Sequence, residues 1–394
     1  MPERKQWYIY DGKVWKPDTG GLKAMQLCKK LADALYIYAL SIKDEARKGA
    51  YMKHVGKWQS RHNRETILKD AASVYPVPIA EFDTDPFLFN CLNGTLDLRT
   101  REFRPHSPGD LLSLISGVKY DPAARCERWE KFVNEIMQGD RERALFFQKA
   151  LGYALTGDTE FECFFILYGA TSRNGKGTSM ETFRRVLGDY GRAAKPETIA
   201  MKPTANAAMP SEDIARLAGA RFVNISEPDK KLVLSAALVK TLTGNDTITA
   251  RFLHENGFEF QPQFKLFINT NHLPQVTDVT LFSSGRVKLI PFERHFSEQE
   301  RDTGLKKELA KPASLSGILN WCLDGLWMLG ETGLDMPESV QAATDEYRKR
   351  SDKIGRFVSE MLDEFSRYQD PGEAIYHILE RIGDIYQVDR VYIC

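Results

Sequence analysis

The segment Phe164-Phe165-Ile166-Leu167-Tyr168-Gly169-Ala170-Thr171-Ser172-Arg173-Asn174-Gly175-Lys176-Gly177-Thr178 constrains this chain more than any other. An apolar run enters a glycine-bounded loop, and Gly175-Lys176, a hydroxyl residue and a helix-forming stretch follow. That stretch sets Met180, Phe183, Val186 and Leu187 on one face, with Gly188 as its stop. A buried strand that feeds such a loop predicts a strand–loop–helix unit whose backbone N–H groups and helix N-terminus face phosphates. Lys176 then stands against the β- and γ-phosphates of a nucleotide and Thr178 near a magnesium ion. Gly169, Ala170, Asn174, Gly175 and Gly177 complete the loop. Two departures from the usual pattern stand out. Ala170, one place after Gly169, takes the first glycine position, and Gly177 separates Lys176 from Thr178. A glycine-rich loop alone is as readily an ordinary turn; the strand before it and the helix after it select nucleotide binding.

A chain of 394 residues has room for two or three domains and a sizeable core. Lys plus Arg and Asp plus Glu both number 54, so no global field draws the protein to nucleic acid. Such a contact must come from a local patch, or from one repeated by oligomerisation. The six cysteines are scattered without a CxxC pair, which argues against structural zinc and a disulfide framework. With no signal pattern and no apolar run of spanning length, the expectation is a soluble, cytoplasmic protein without membrane contact.

Residues 1–20 read as a hairpin turning at Asp11-Gly12. Residues 21–55 have helical spacing, with Leu27, Leu31, Leu35 and Leu40, and a basic stretch runs on to about residue 65. A Pro-punctuated segment places a boundary near 85. Short strands around Asn93-Gly94 and helices near 127–138 and 141–156 follow. From Phe161 strands and helices alternate, with a short helix capped by Ser211 and another over Leu232–Leu242. Several apolar strands around a phosphate loop imply a parallel sheet flanked by helices. After Phe296 the chain reads as helical to about 366. The expected division is 1–85, a hairpin and helical region; 86–158, mainly helical; 159–296, the ATPase core; and 297–394, helical.

Other constellations gather around the loop. An NTPase needs a carboxylate for the magnesium shell and the attacking water. Glu227 ends the next apolar strand and suits both tasks, although a surface acid at a strand end is the plainer reading and Asp229 stands close by. Asn271 ends a further apolar strand, where its amide would position water near the γ-phosphate; otherwise it is a turn residue. Between them, Thr247 to Phe260 alternates about Asn256-Gly257, the pattern of a β-hairpin. If several copies faced a channel, Arg251 and His254 would touch a phosphate backbone; the alternative is a plain surface hairpin. Arg286, before another apolar strand, would stabilise transition-state charge in a neighbouring subunit, or is simply a solvated arginine.

Taken together, the blocks LNGTLDLRT, GDLLSLISGVKYDP, ILYGATSRNGKGT, ISEPDK, LVKTLTGNDTITARFLHENGFEF, FKLFINTNHLP, GRVKLIPFERHF and SGILNWCLDGLW resemble the superfamily 3 helicases. The resemblance is to the phage and plasmid primase-helicases related to the poxvirus primase-helicase. It covers roughly 86–366 and is looser over 1–85. It implies an AAA+-like ATPase core that uses ATP and Mg2+, assembles into a ring, usually a hexamer, and translocates 3′ to 5′ on single-stranded DNA or at a replication fork. By resemblance Lys176 and Thr178 fall on the phosphate loop, Glu227 on the acidic motif, and Lys240 and Gly244 on the motif before the hairpin. Lys240 joins Arg251 and His254 as a DNA contact, Asn271 is the sensor, and Arg286 the inter-subunit arginine. Many relatives carry a primase built on a D-x-D pair. Asp83-Thr84-Asp85 has that spacing but too little chain before it, so the expectation is a helicase part without a primase, served by a separately encoded primase or initiator. Rival readings are an ATPase ring that remodels protein or packages DNA, and an initiator that only melts an origin.

Overall fold

The computed structural model describes residues 6–74, 76–201, 212–226, 228, 232–253, 257–352 and scattered positions from 355 to 380. At the amino end the Asp11 carboxylate accepts from the N–H groups of Lys13 and Val14, with Gly12 at φ +97°. That turn joins β1 (Tyr8–Tyr10) to β2 (Trp15–Pro17) in the hairpin the Asp-Gly pair predicts. The helical stretch behind it divides into α1 (Leu22–Leu40), α2 (Glu45–Trp58) and α3 (Arg61–Ala71). Asp44 starts α2 afresh by accepting from the N–H of Arg47 at 2.6 Å. The inward face of α1 is Ala24, Cys28, Ala32 and Ala39, while Leu27, Leu31 and Leu40 stay exposed.

Next come β3 (Leu88–Cys91) and β4 (Gly94–Asp97), paired antiparallel, with β5 (Phe103–Arg104) beside β4. The helices α4 (Glu127–Ile136) and α5 (Arg141–Tyr153) follow. The core then runs β6 (Phe164–Tyr168), α6 (Lys176–Leu187), β7 (Gly191–Ala194), α7 (Glu212–Ala215), β8 (Phe222–Ser226) and α8 (Ala236–Thr243). A hairpin of β9 (Ile248–Ala250) and β10 (Phe258–Phe260), then β11 (Lys265–Thr270), α9 (Thr280–Ser283) and β12 (Val287–Pro291) complete it. Helices α10 (Leu305–Leu309), α11 (Pro312–Thr332) and α12 (Glu338–Ser351) close the described chain.

Five strands form one sheet in the order β12-β6-β11-β8-β7, every pairing parallel. The chain is therefore the expected α/β protein, a parallel sheet between a mainly helical amino-terminal region and a helical carboxyl-terminal one. Strand alternation sends Phe165, Leu167, Phe222 and Phe267 to one face, against α5, α6 and α11. Phe164, Ile166, Val223 and Ile268 go to the other face, against α8 and Tyr347 of α12. Rings continue across the first face: Phe165 stacks on Phe267 at 4.7 Å, and Phe267 meets Phe222 at 4.9 Å. At the amino edge the buried Lys265 ammonium donates to the carbonyls of Thr156, Asp158 and Gln263, tying the segment after α5 to the sheet. From β6 the chain passes to the β7 edge, whereas from β11 it passes to β12 on the other side. Their carboxyl ends are thus a point of diverging connections, where open α/β sheets take ligands.

Local expectations fail in places. The helix expected over Leu232–Leu242 starts only at Ala236, because Val233 and Leu234 form isolated bridges with Gln275 and Ala200 and Ser235 takes the cap position. Ser211 and the hairpin tip at His254, Glu255 and Asn256 lie outside the described residues, as does most of the chain beyond Asp352.

Candidate functional site

β6 delivers the chain to the carboxyl edge of the sheet, and the loop from Gly169 turns it into α6. Gly175, the N-cap residue of α6, has φ +87°, and Arg173 shares the left-handed region at +58°. A Cβ on Gly175 would also stand 2.4 Å from Cγ2 of Ile136, so only glycine fits. At the loop entrance the constraint falls on Gly169, where a Cβ would meet Nδ2 of Asn174 at 2.3 Å and the carbonyl oxygen of Phe292 at 2.4 Å. Ala170, which occupies the pattern's glycine position, is exposed and meets no such restriction. Gly177 is different: nothing lies within 4 Å of its would-be Cβ, so packing does not explain the glycine after Lys176.

Lys176 is only 4% exposed, and its Nζ donates to Oδ1 of Asn271 at 2.7 Å and to the carbonyl of Gly169 at 3.2 Å. Both acceptors are neutral, and burial pushes the ammonium down to about 8. The sign is direct. Below pH 8 Lys176 is a cation ready for an anion; above it, binding must first restore the proton. If the loop takes a triphosphate, its affinity should therefore fall as pH rises from about 7.5 to 9.5, approaching tenfold per unit, with proton uptake visible by calorimetry in buffers of different ionisation enthalpy. A flat affinity across that window would contradict it.

Asn271 follows β11 in a turn held by Thr270, whose Oγ1 donates to the carbonyl of His272 and accepts from its N–H. The segment after β12 braces the loop. The N–H of Phe292 donates to the carbonyl of Tyr168 at 2.6 Å and that of Phe296 to Arg173 at 2.9 Å. His295 Nδ1 lies 2.8 Å from the carbonyl of Ser172, which can only accept, so the proton is on Nδ1. From the opposite side α12 returns over the edge, Tyr347 donating to the carbonyl of Pro274 at 2.6 Å. Its Arg350, paired with Glu346, lines cavities of about 700 Å³ and about 280 Å³. The first includes Asn271 and the second Gly169 and Ala170. Sequence reasoning assigned nothing to α12; its only local signal was the basic run Arg348-Lys349-Arg350. Thr178 faces elsewhere, lining a third cavity of about 390 Å³ with Gly175.

Other expected site residues are dispersed. β8 reaches the same edge, Ser226 standing in register with Asn269, but Glu227 and Asp229 lie outside the described residues. Arg286 precedes β12 at the amino edge, where it donates to the Glu162 carbonyl and Oγ1 of Thr243 and pairs with the Glu162 carboxylate. A strand of five residues, roughly 16 Å, separates that edge from the loop, so Arg286 does not reach Lys176 of its own chain. Lys240 donates to Oδ2 of Asp278 at 2.9 Å and Oγ1 of Thr280 at 2.6 Å, which helps to hold the Asp278 carboxyl at about 2. Arg251 is exposed just beyond β9, and His254 falls at the undescribed tip. Among the described residues no cluster of three or more His, Cys, Asp or Glu could hold a metal, and no helix is long and apolar enough to cross a membrane.

Comparison with known proteins finds similarities in sequence and in fold. Residues 1–138 match the family described as "D5 N terminal like". "Putative helicase L207/L206" of Acanthamoeba polyphaga mimivirus is 28% identical over 316 residues, covering 75% of this chain and 33% of the viral protein. The chain is thus similar in sequence to the D5 N-terminal-like family over residues 1–138 and to viral proteins named as helicases. "Putative helicase 022R" of Frog virus 3 is 29% identical over 251 residues, 59% of this chain and 25% of that one. The chain thus spans a quarter to a third of the length of these viral relatives. In fold it resembles the apo C-terminal region of NrS-1, with a TM-score of 0.50 and 14% identity over 76% of this chain and 71% of that one. The family match includes residues 1–85, where the sequence blocks match only loosely.

Proposed function

We propose that this chain is the motor part of an ATP-dependent DNA helicase, acting as a ring, most simply of six copies, on single-stranded DNA with 3′ to 5′ polarity. The observation that carries the reading is the meeting of Lys176 and Asn271 at the carboxyl ends of adjacent strands. The triphosphate lies along the loop N–H groups from Ala170 to Gly177, beside Asn174, at the N-terminus of α6. Lys176 exchanges two neutral acceptors for phosphate oxygens, a stronger charge-assisted contact. Asn271, relieved of the ammonium, is then available to position water at the γ-phosphate.

Magnesium, when bound, neutralises charge on the β- and γ-phosphates. It keeps several waters and relies on substrate oxygens, so a site with few protein donors suits it. With Gly177 offering no side chain, the Glu227 carboxylate would hold it, joined by the Thr178 hydroxyl once that side chain turns from its own cavity toward the phosphates, and Glu227 would also polarise the attacking water. Arg286, out of reach of its own loop, serves the site of the next copy, and this makes the ring a requirement of the chemistry. The β9–β10 hairpin carries Arg251 and His254 toward DNA; Lys240 would join them only by releasing Asp278.

Single-stranded DNA should raise steady-state ATP turnover several-fold, in a manner that weakens with salt. The same turnover with and without DNA would favour a ring that acts on protein instead.

A further inference from the structure

We infer that the outward face of α2 binds the phosphate backbone of double-stranded DNA, on a surface separate from the nucleotide loop and from the β9–β10 hairpin. Residues 43–69 hold eight Lys and Arg against three Asp and Glu, in a chain whose net charge is zero. α1, α2 and α3 pack on one another, and α2 turns the buried Val55 and the half-buried Met52 inward. At 3.6 residues per turn, Ala46, Ala50, Lys53 and Lys57 form one stripe on the opposite side, and all four are exposed. Arg47 and His54, also exposed, flank it. The three acids are already engaged: Asp44 caps α2, Glu45 pairs with Lys48 at 3.3 Å and Glu65 with Arg61 at 2.8 Å. Among the described residues no carboxylate pairs with Arg47, Lys53 or Lys57.

The surface between these cations is low. Ala46 and Ala50 lie in the stripe, and on its rim stand Gly49 and Gly56, whose would-be Cβ atoms meet nothing within 4 Å. Each glycine costs the helix up to about 1 kcal/mol relative to alanine, and no packing within the described chain accounts for either. A low face edged by unpaired cations admits a broad anionic partner. From Arg47 to Lys57 the helix axis runs about 15 Å. Over that length a duplex presents several phosphates at fixed positions, which matches cations fixed on a helix. A single strand is held largely by stacking on aromatic rings, and an anionic membrane by large apolar side chains. The stripe carries neither.

Fluorescence anisotropy on the full chain without nucleotide tests it, with a short labelled duplex and with oligo-dT across a range of salt. Lys53→Gln combined with Lys57→Gln should weaken duplex binding about tenfold or more. The slope of log affinity against log salt should become shallower by about 1.8, two phosphate contacts at about 0.9 each. Ala50→Glu, which sets a negative charge between the two lysines, should also weaken the duplex, and oligo-dT affinity should stay at the wild-type value in both variants. Lys29→Gln with Lys30→Gln removes the same charge from exposed positions of α1 and should leave the duplex slope unchanged. All these positions are exposed, so each variant should melt with the wild type. Duplex affinity unchanged in the Lys53 and Lys57 variant, or lowered as much by the α1 variant, would overturn the inference. So would an equal loss of oligo-dT, or capture of the wild type by phosphatidylserine vesicles and not by duplex. No arm uses ATP, so each outcome leaves the motor reading untouched.

Discussion

Gly325→Val is expected to destabilise the protein by about 3 kcal/mol or more, the largest stability effect of any exchange considered. α5 and α11 touch through their backbones. A Cβ on Gly325 would stand 2.3 Å from the carbonyl oxygen of Gln148, and one on Gly152 would stand 2.3 Å from the backbone nitrogen of Leu326. Backbone atoms inside packed helices cannot yield as a side-chain tip can, so the helices must separate. Around them lie Phe146, Phe147, Leu151, Leu319, Cys322 and Leu323, the part of the core that covers one face of the sheet beneath the loop. Gly330 on the same helix is the internal control. Nothing lies within 4 Å of its would-be Cβ, so Gly330→Ala should be neutral or stabilising by up to about 1 kcal/mol. Denaturant midpoints with unchanged slopes read both effects. A Gly325→Val protein that unfolds with the wild type would mean that the helices do not pack this closely.

Lys176→Ala should lower ATP turnover by about a thousandfold or more, the magnitude that removal of a preorganised charge from a phosphoryl-transfer site can reach. Stability should move the other way or stay level. The ammonium is nearly fully buried among neutral acceptors, so its removal relieves a desolvated charge and sacrifices only the contacts to Asn271 and Gly169. This divergence separates a catalytic lysine from a structural one. Turnover lost together with the fold, or turnover kept, would remove Lys176 from the reaction.

The sheet and its loop were legible because their signals are local. Five consecutive apolar residues ending at Gly169, the 3.6-residue spacing of Met180, Phe183 and Leu187, and the alternation around Asn256-Gly257 each report a neighbourhood within the chain. Asn271 could be picked out because it ends a buried strand. What stayed hidden depends on approach from a distance. Gly169 must be glycine because Asn174 and Phe292 close over it, whereas the motif alone pointed to Ala170. The strand-like bridges of Val233 and Leu234 override a helical spacing because Ala200 and Gln275 come to meet them. The return of α12 over the cleft joins Tyr347 to Pro274 across 73 positions, and the pocket that α4 builds beside Thr178 joins Arg128 to Asp302 across 174. No window of sequence contains both partners, and only the fold brings them together.

The central claim is that the Lys176 and Asn271 site drives strand separation, and a forked DNA substrate tests it most directly. With ATP and magnesium, the wild-type chain should release the labelled strand from a fork carrying a 3′ tail, leave a fork with only a 5′ tail intact, and release nothing when Lys176 is alanine. ATP consumed at the full DNA-stimulated rate with no strand released from either fork would contradict it.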